Sequence, residues 1–140
     1  MATKVFVSFD YDKDRNYKFL LSAWDKNYKF DFSFADHSSQ EINSEDISVV
    51  RAALTRKINS ADVTLVIIGK EANKKHSDSD EIGYKNWINF EVAKSVENGN
   101  DIVGVKIDST YDSPDEIIGV GASWAMSFTE ENIIKALNDA

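Results

Sequence analysis

The sequence predicts a three-layer α/β domain with a mainly parallel sheet of about five strands and helices on both faces. Short apolar segments rich in β-formers alternate along the chain with longer segments whose apolar residues recur every three or four positions. One short segment, Val63–Ile68, is apolar apart from Thr64, which is typical of a strand covered on both faces. Because right-handed crossovers through helices join parallel strands, this alternation predicts a flavodoxin-like sheet. The length of 140 residues predicts a single domain over residues 1–140.

The first predicted strand and helix open the chain. Residues 5–9 form a short run rich in β-formers, and a polar, turn-forming run follows them. Beyond that turn, the apolar period changes to that of an amphipathic helix over residues 13–27. The core-facing side of this helix is predicted to carry Tyr17, Leu20, Leu21 and Trp24.

A second strand and a second helix are predicted next. Phe30, Phe32 and Phe34 alternate with smaller or polar residues, which is the two-residue period of a strand with one apolar face. Ser44 is the predicted cap of the following helix, whose first turn would include Asp46. The core-facing stripe of that helix is predicted to comprise Ile47, Val50, Leu54 and Ile58.

The middle of the chain holds the predicted centre of the sheet, Val63–Ile68. A long polar segment, residues 69–85, follows it, and a loop of this length in a compact domain is usually functional or mobile. We expect this segment to gate a cleft. Residues 87–97 then have the period of a third helix, with Gly99 supplying the left-handed residue that ends it.

The last third of the chain completes the pattern. A fourth strand is predicted over residues 102–107 and a fifth over residues 122–126, whereas residues 109–121 show no clear pattern. Thr129 is a suitable cap for a terminal helix because two glutamates follow it. The buried side of this helix is predicted to carry Ile133, Ile134 and Leu137.

Loops at one edge of the sheet are the expected place for a ligand. In sheets of this kind, ligands bind beyond the carboxyl ends of the strands. Three segments should meet at that edge: residues 10–14, 36–43 and 69–87.

The composition excludes several kinds of site. The sequence contains no cysteine, which excludes disulfides, a thiol nucleophile and a cysteine-ligated metal centre. With only His37 and His76, neither a serine-histidine-aspartate triad nor a multi-histidine metal centre is expected, and we predict no metal site. Neither a G-x-G-x-x-G turn nor a G-x-x-x-x-G-K-[ST] loop is present, which argues against dehydrogenases and P-loop NTPases.

A response-regulator receiver would also have this fold, with acidic residues after its first strand, where Asp10 lies here. It requires, however, an aspartate at the end of its third strand as the phosphoacceptor. Here that strand ends with Ile67, Ile68 and Gly69. The sequence therefore argues against a receiver.

Charge and hydropathy bear on partners and location. A formal charge of −8 gives a surface that repels phosphate backbones, so no nucleic-acid partner is expected. The longest unbroken apolar run, residues 65–68, is far shorter than the roughly 20 residues that span a bilayer. The start of the chain lacks the pattern of a signal peptide. We therefore expect no membrane association and a cytoplasmic location.

Two blocks of sequence carry a resemblance to a known family. Residues 4–9 read KVFVSF, and residues 87–105 read WINFEVAKSVENGNDIVGV. The second block is similar to the TIR pattern in which a tryptophan precedes a helix-borne catalytic glutamate by four residues, with a glycine-bounded turn into the next strand. The chain thus resembles the TIR-like domains, and among them the ThsB-like branch of Thoeris anti-phage defence, over residues 4–108.

The resemblance implies an enzyme that releases nicotinamide from NAD and makes a cyclic ADP-ribose-type signal for a separate effector. It implies that Glu91 is the catalytic residue, with Trp87 and Phe90 bordering the nucleotide cleft. It further assigns substrate binding to the first loop and to the BB loop, at Ser8, Phe9, Asp10, Tyr11, Asp36 and His37. The chain departs from many TIR domains in having no basic residue just after the first strand and no Pro-Gly in the BB loop.

The implied chemistry needs one carboxylate. A carboxylate can stabilise the positive charge that develops at the anomeric carbon, and the departing nicotinamide needs no general acid. NAD would be the substrate, and no cofactor is expected. A phage-derived trigger and assembly into a homo-oligomer are further expectations. The sequence leaves the product open among free ADP-ribose, a cyclised isomer and a conjugate.

Alternative interpretations of these residues remain. Glu91 could oppose the helix dipole, Phe90 could be a core residue, and Asp10 could cap the first helix. His37 and His76 could be turn residues. As a whole, the chain could instead be a non-catalytic TIR interaction module or a nucleotide-binding sensor.

Overall fold

One parallel sheet organises the computed structural model of the chain, which describes residues 3–10, 13–14, 16–17, 19–21, 32–35 and 46–140. Within these residues the sheet has five strands: β1 Thr3–Ser8, β2 Phe32–Ala35, β3 Val63–Ile68, β4 Asp101–Lys106 and β5 Ser123–Ala125. Their order is β2-β1-β3-β4-β5, and every neighbouring pair is parallel. The predicted fold is confirmed, with β3 central and all six of its residues buried.

Helices connect the strands in the order that the periodicity predicts. The described helical residues 13, 14, 16, 17 and 19–21 form α1. The later helices are α2 Ile47–Asn59, α3 Ser79–Ile82, α4 Trp87–Asn98 and α5 Glu130–Asp139, with a 3₁₀ turn at Asp115–Ile117. None of the helices in this part of the chain has the length and apolar character that crossing a membrane requires.

The two faces of the sheet bury separate cores. On the α1/α5 face, alternate residues of β1 and β3 such as Val5, Val7 and Leu65 pack with Leu21 and Ile133. On the α2/α4 face, the intervening strand residues pack with the helices that cross that side. Two clusters form the core on this face, one with Phe6, Leu54, Ile58, Ile82 and Phe90 and the other with Val66, Ile88 and Val92. The two-residue period of the strands thus assigns each side chain to one face.

The predicted boundaries at Gly99 and Thr129 are confirmed, and Asn86 is a cap that the sequence did not predict. The Asn86 side chain accepts a hydrogen bond from the Asn89 N–H at 2.9 Å and caps α4. Gly99 ends that helix with φ of 81°, a left-handed conformation that glycine adopts without a steric penalty. Thr129 caps α5 by accepting from the Asn132 N–H at 3.3 Å.

Two predictions about local structure are wrong. Helix α2 is capped by Asp46, whose Oδ1 accepts from the Ser48 N–H at 2.9 Å, so Asp46 lies before the first turn and Ser44 is not the cap. Aspartate is as favourable a capping residue as serine, and Asp46 directly precedes Ile47, the first residue of the helix. Leu20 is 44% exposed because Tyr17 and Leu21, one turn apart, define the buried side of α1, and Leu20 points about 100° away from Leu21.

The segment after β3 is more structured than the predicted loop. It contains α3, and it buries Ala72 and Ile82 completely. Its ends are joined where the His76 N–H donates to the Lys85 carbonyl at 2.8 Å. The Asn86 Nδ2 donates to two of its carbonyls, at 2.9 Å each. The gating role of this segment stays a prediction.

Residues 109–121, which the sequence left open, are organised by the 3₁₀ turn Asp115–Ile117. Ile117 is 1% exposed and packs into the core of the α2/α4 face. The backbone N–H of Glu116 donates to Asn89 Oδ1 at 2.9 Å, and that of Asp115 donates to Asn73 Oδ1 at 3.0 Å. This turn therefore binds the start of α4 to the segment after β3. Predictions for Trp24, Phe30 and the loop of residues 36–43 lie outside the described residues.

Candidate active site

The carboxyl group of Glu91 is buried between α4 and the end of β1. Glu91 lies in the second turn of α4 and is 2% exposed. Its Oε1 accepts a hydrogen bond of 2.6 Å from the hydroxyl of Ser8, the last residue of β1, which is itself fully buried. The pair joins residues 83 positions apart at the carboxyl edge of the sheet, where ligands bind in this class of fold.

Burial changes the acidity of this carboxyl group. Loss of solvation raises the pKa of Glu91 from 4.5 to about 8, and the hydrogen bond from Ser8 opposes this rise. Glu91 is therefore mainly protonated at neutral pH in the free protein. A glutamate that only opposes a helix dipole would lie at the surface, so burial argues against that interpretation.

Polar side chains behind Glu91 fix α4 to the sheet. The Ser95 hydroxyl, one turn after Glu91, donates to the Glu91 carbonyl at 2.7 Å. The Thr64 hydroxyl lies 2.6 Å from the Ser95 hydroxyl. Asn100 Nδ2 donates to the carbonyl of Ile58 at 3.1 Å. The sequence pattern does not reveal these positioning residues, although a threonine within the otherwise apolar strand β3 was the available signal.

The aromatic residues near Glu91 belong to the core. Phe90 is fully buried, and the rings of Trp87 and Tyr84 meet it edge to face with centroid distances of 5.5 Å and 5.9 Å. The Arg51 guanidinium carbon and Lys94 Nζ lie 5.3 Å and 5.7 Å from the Phe90 ring centre. Phe90 has the core position that was one of its two interpretations. Trp87 is partly buried against it, and contact of either residue with a nucleotide stays a prediction.

The remaining predicted site residues do not all approach Glu91. Phe9 packs in the core of the α1/α5 face, on the other side of the sheet from Glu91. Asp10 Oδ1 accepts from the Lys13 N–H at 3.3 Å, which is the capping role of the alternative interpretation. Tyr11, Asp36 and His37 lie outside the described residues.

Other polar residues have local roles. His76 accepts from the Asp78 N–H through Nδ1 at 2.9 Å, so it is a turn residue, as one interpretation held. Among the described residues, no group of three or more histidine, aspartate or glutamate side chains could hold a metal ion. The candidate site therefore consists of one buried acid, Glu91, and one hydroxyl donor, Ser8.

Two known proteins are similar to this chain, one in sequence and one in fold. A curated relative from Bacillus cereus (strain MSX-D12), named "Putative cyclic ADP-D-ribose synthase ThsB1", is 27% identical over 120 residues, which cover 80% of this chain and 55% of the relative. The chain thus spans about half the length of that relative. A solved structure, the CMP N-glycosidase BcmB of Clostridium botulinum, matches with a TM-score of 0.61 over 97% of this chain and 98% of that one. At 11% identity it shows a shared fold alone.

The strongest finding is a match to the family described as "Thoeris protein ThsB, TIR-like domain" over residues 6–112. The match covers most of the chain and includes β1, the central strand β3 and α4 with Glu91. The chain therefore belongs to the ThsB-type TIR-like domain family of the Thoeris defence system.

Proposed function

We propose that this chain cleaves the bond between nicotinamide and ribose in NAD and makes a cyclic ADP-ribose-type signal for a separate effector in anti-phage defence. The observation that carries the proposal is the buried pair of Glu91 and Ser8 at the carboxyl edge of the sheet. Membership of the ThsB-type family supports a role in Thoeris defence. The name of the Bacillus cereus relative supports a cyclic ADP-ribose-type product.

In the proposed reaction, Glu91 acts as a carboxylate. The positively charged nicotinamide ring of bound NAD favours ionisation of the buried acid, which gives up its proton to solvent. The bond from nicotinamide to the anomeric carbon then breaks, and both electrons leave with nicotinamide, which becomes neutral. The Glu91 carboxylate stabilises the positive charge left on the ribose. Ser8, which donates to Oε1, holds the carboxylate in one orientation.

The second half of the reaction forms the ring. A nitrogen or a ribose hydroxyl oxygen of the adenosine half of the molecule supplies an electron pair to the anomeric carbon, and one proton is released. No water is consumed, so a site that excludes water favours the cyclic product over free ADP-ribose. The burial of Ser8 and Glu91 fits this requirement.

One observation favours a second candidate function. Glu91 is only 2% exposed, so in this conformation its carboxyl group offers almost no surface to a substrate. A TIR domain that acts by protein contact or by sensing a nucleotide would need no exposed acid. The buried pair would then be a structural feature of the α4 packing.

Incubation of the purified chain with NAD distinguishes the two candidates. Products are separated by chromatography and identified by mass. The proposal predicts release of nicotinamide in equal amount to a product with the mass of ADP-ribose less one water. Absence of nicotinamide release, with NAD binding intact by calorimetry, would establish the non-catalytic candidate instead.

A further inference from the structure

Three asparagine side chains, which we call the amide cluster, meet at the start of α4. They are Asn73, Asn86 and Asn89, and the last two are buried, with exposures of 8% and 1%. Asn89 Nδ2 donates to Asn73 Oδ1 at 3.2 Å and to Asn86 Oδ1 at 3.0 Å. Each of the three Oδ1 atoms also accepts from a backbone N–H, which can only donate. These backbone groups fix the orientation of all three amides.

The amide cluster joins three segments at the carboxyl edge of the sheet. Asn73 belongs to the segment after β3, and its Nδ2 also donates to Asp115 Oδ1 at 3.0 Å. The backbone N–H groups of Asp115 and Glu116, in the 3₁₀ turn after β4, donate to Asn73 and Asn89. Asn89 lies within α4. Helix α4 is therefore tied to residues 16 and 27 positions away in the sequence.

Capping of α4 does not explain the whole amide cluster. A cap needs one acceptor for an N–H of the first turn, and Asn86 Oδ1 supplies it. Asn89 and Asn73 add side-chain hydrogen bonds that the cap does not use. Burial of an amide is costly unless its polar atoms are bonded, as those of Asn89 are. In return, the amide gives a directional attachment that an apolar side chain would not provide.

Glu91 lies between two attachments of α4. Asn89 precedes it by two residues, and Ser95, whose hydroxyl donates to the Glu91 carbonyl, follows it by one turn. Two residues correspond to a rotation of about 200°, so Asn89 and Glu91 leave the helix on nearly opposite sides. A shift of α4 by the rise of one residue, about 1.5 Å, would break the hydrogen bond of 2.6 Å to Ser8. The two attachments thus fix the height and the rotation of the helix at Glu91.

We propose that Asn73 and Asn89 are positioning residues for Glu91, which hold α4 where the carboxyl group of Glu91 meets Ser8. Both act through the helix, and neither is assigned a contact with NAD. The kinetic part of this proposal rests on the proposed function, whereas the placement of Glu91 is measured without NAD.

Asn73→Ala tests the proposal on the full chain, because Asn73 lies outside α4 and is tied to it through Asn89. Carbon-13 NMR follows the titration of the Glu91 carboxyl group, whose resonance is assigned by its absence in Glu91→Gln. Burial is the larger cause of the raised pKa of about 8, so displacement of α4 should lower this pKa by at least about 1. In NAD cleavage, kcat should fall at least about tenfold, while KM should change by less than about twofold.

A rescue variant and a control separate positioning from general stability. Asn73→Asp places a second carboxylate beside Asp115 and should lower the pKa of Glu91 and kcat as Asn73→Ala does. Addition of Asp115→Asn restores the hydrogen bond with donor and acceptor exchanged, so the double variant should recover both values. Thr129→Ala removes the cap of α5, on the other face of the sheet, and should leave both values unchanged despite lower stability.

Three results would overturn the proposal: an unchanged or higher pKa of Glu91 in Asn73→Ala, an equal fall of that pKa in Thr129→Ala, or no recovery in the double variant. If the wild type releases no nicotinamide, the proposed function fails. The titration of Glu91 then decides by itself whether Asn73 and Asn89 position this residue.

Discussion

Two buried acids, Glu91 and Asp14, lie near the same edge of the sheet but on opposite faces. Glu91 is enclosed by α4 and β1 and accepts a short hydrogen bond from Ser8. Asp14 borders an open cavity, and its Oδ2 has no donor among the described residues. Burial is the largest cause of the raised pKa of both acids, but only Glu91 has a protein partner that opposes the rise. The difference is that Ser8 holds the Glu91 carboxyl group in one orientation, whereas Asp14 Oδ2 packs against Gly69 without a donor.

The largest effect expected from this comparison is the cost of ionising Glu91. An acid whose pKa rises from 4.5 to about 8 on folding keeps its proton while the unfolded chain loses it. Stability therefore falls as pH rises through that window, by up to about 5 kcal/mol from this group. Glu91→Gln should remove this pH dependence. Urea unfolding at both ends of the window measures it, and equal pH slopes for variant and wild type would contradict the assigned acidity.

A smaller effect of the same sign is expected at Asp14. Its pKa rises from 3.8 to about 6 on folding, so its contribution to stability falls as pH rises between those values. The loss should amount to about 2 kcal/mol, since the cavity leaves the group partly solvated. Asp14→Asn should flatten this part of the stability profile, and Asp80→Asn should not.

The smallest effect is expected from the partner that distinguishes the two acids. Ser8→Ala leaves Glu91 Oε1 without its donor, which should cost about 1 kcal/mol of stability. Because the bond from Ser8 lowers the pKa of Glu91, its loss should raise that pKa further. The kcat/KM for NAD reports the free enzyme, so its inflection near pH 8 should move upward. Ser60→Ala, at an exposed serine after α2, is the control and should leave the inflection in place.

Much of the fold could be predicted because it follows from local periodicity. The bounds of β3 agree with the run that is apolar apart from Thr64, and the caps Thr129 and Gly99 stand where helical patterns start and stop. Leu20 was misplaced because it lies at the margin of its apolar stripe, where spacing alone does not decide burial.

The candidate site could be predicted only in part. The resemblance identifies Glu91 and places Ser8 in the first loop, but their hydrogen bond depends on how α4 packs against β1. Asp14 was overlooked because an acid in the first turn of a helix is ordinarily a solvated partner of the dipole. Its spacing of three residues from Tyr17 was the available signal of a buried position. The role of Gly69 depends on contact between separate elements, which no sequence pattern shows.

The central claim is that the Glu91 carboxylate performs the cleavage of NAD. Glu91→Gln keeps the size of the side chain and a hydrogen-bonding group for Ser8 but removes the charge that stabilises the ribosyl cation. Glu97→Gln is the matched control, because Glu97 lies on the same helix with its side chain 62% exposed. The most direct measurement is the rate of nicotinamide release by the two variants, with folding verified by circular dichroism. The account predicts a loss of at least about 100-fold for Glu91→Gln and a near wild-type rate for Glu97→Gln. Wild-type turnover by Glu91→Gln would contradict it.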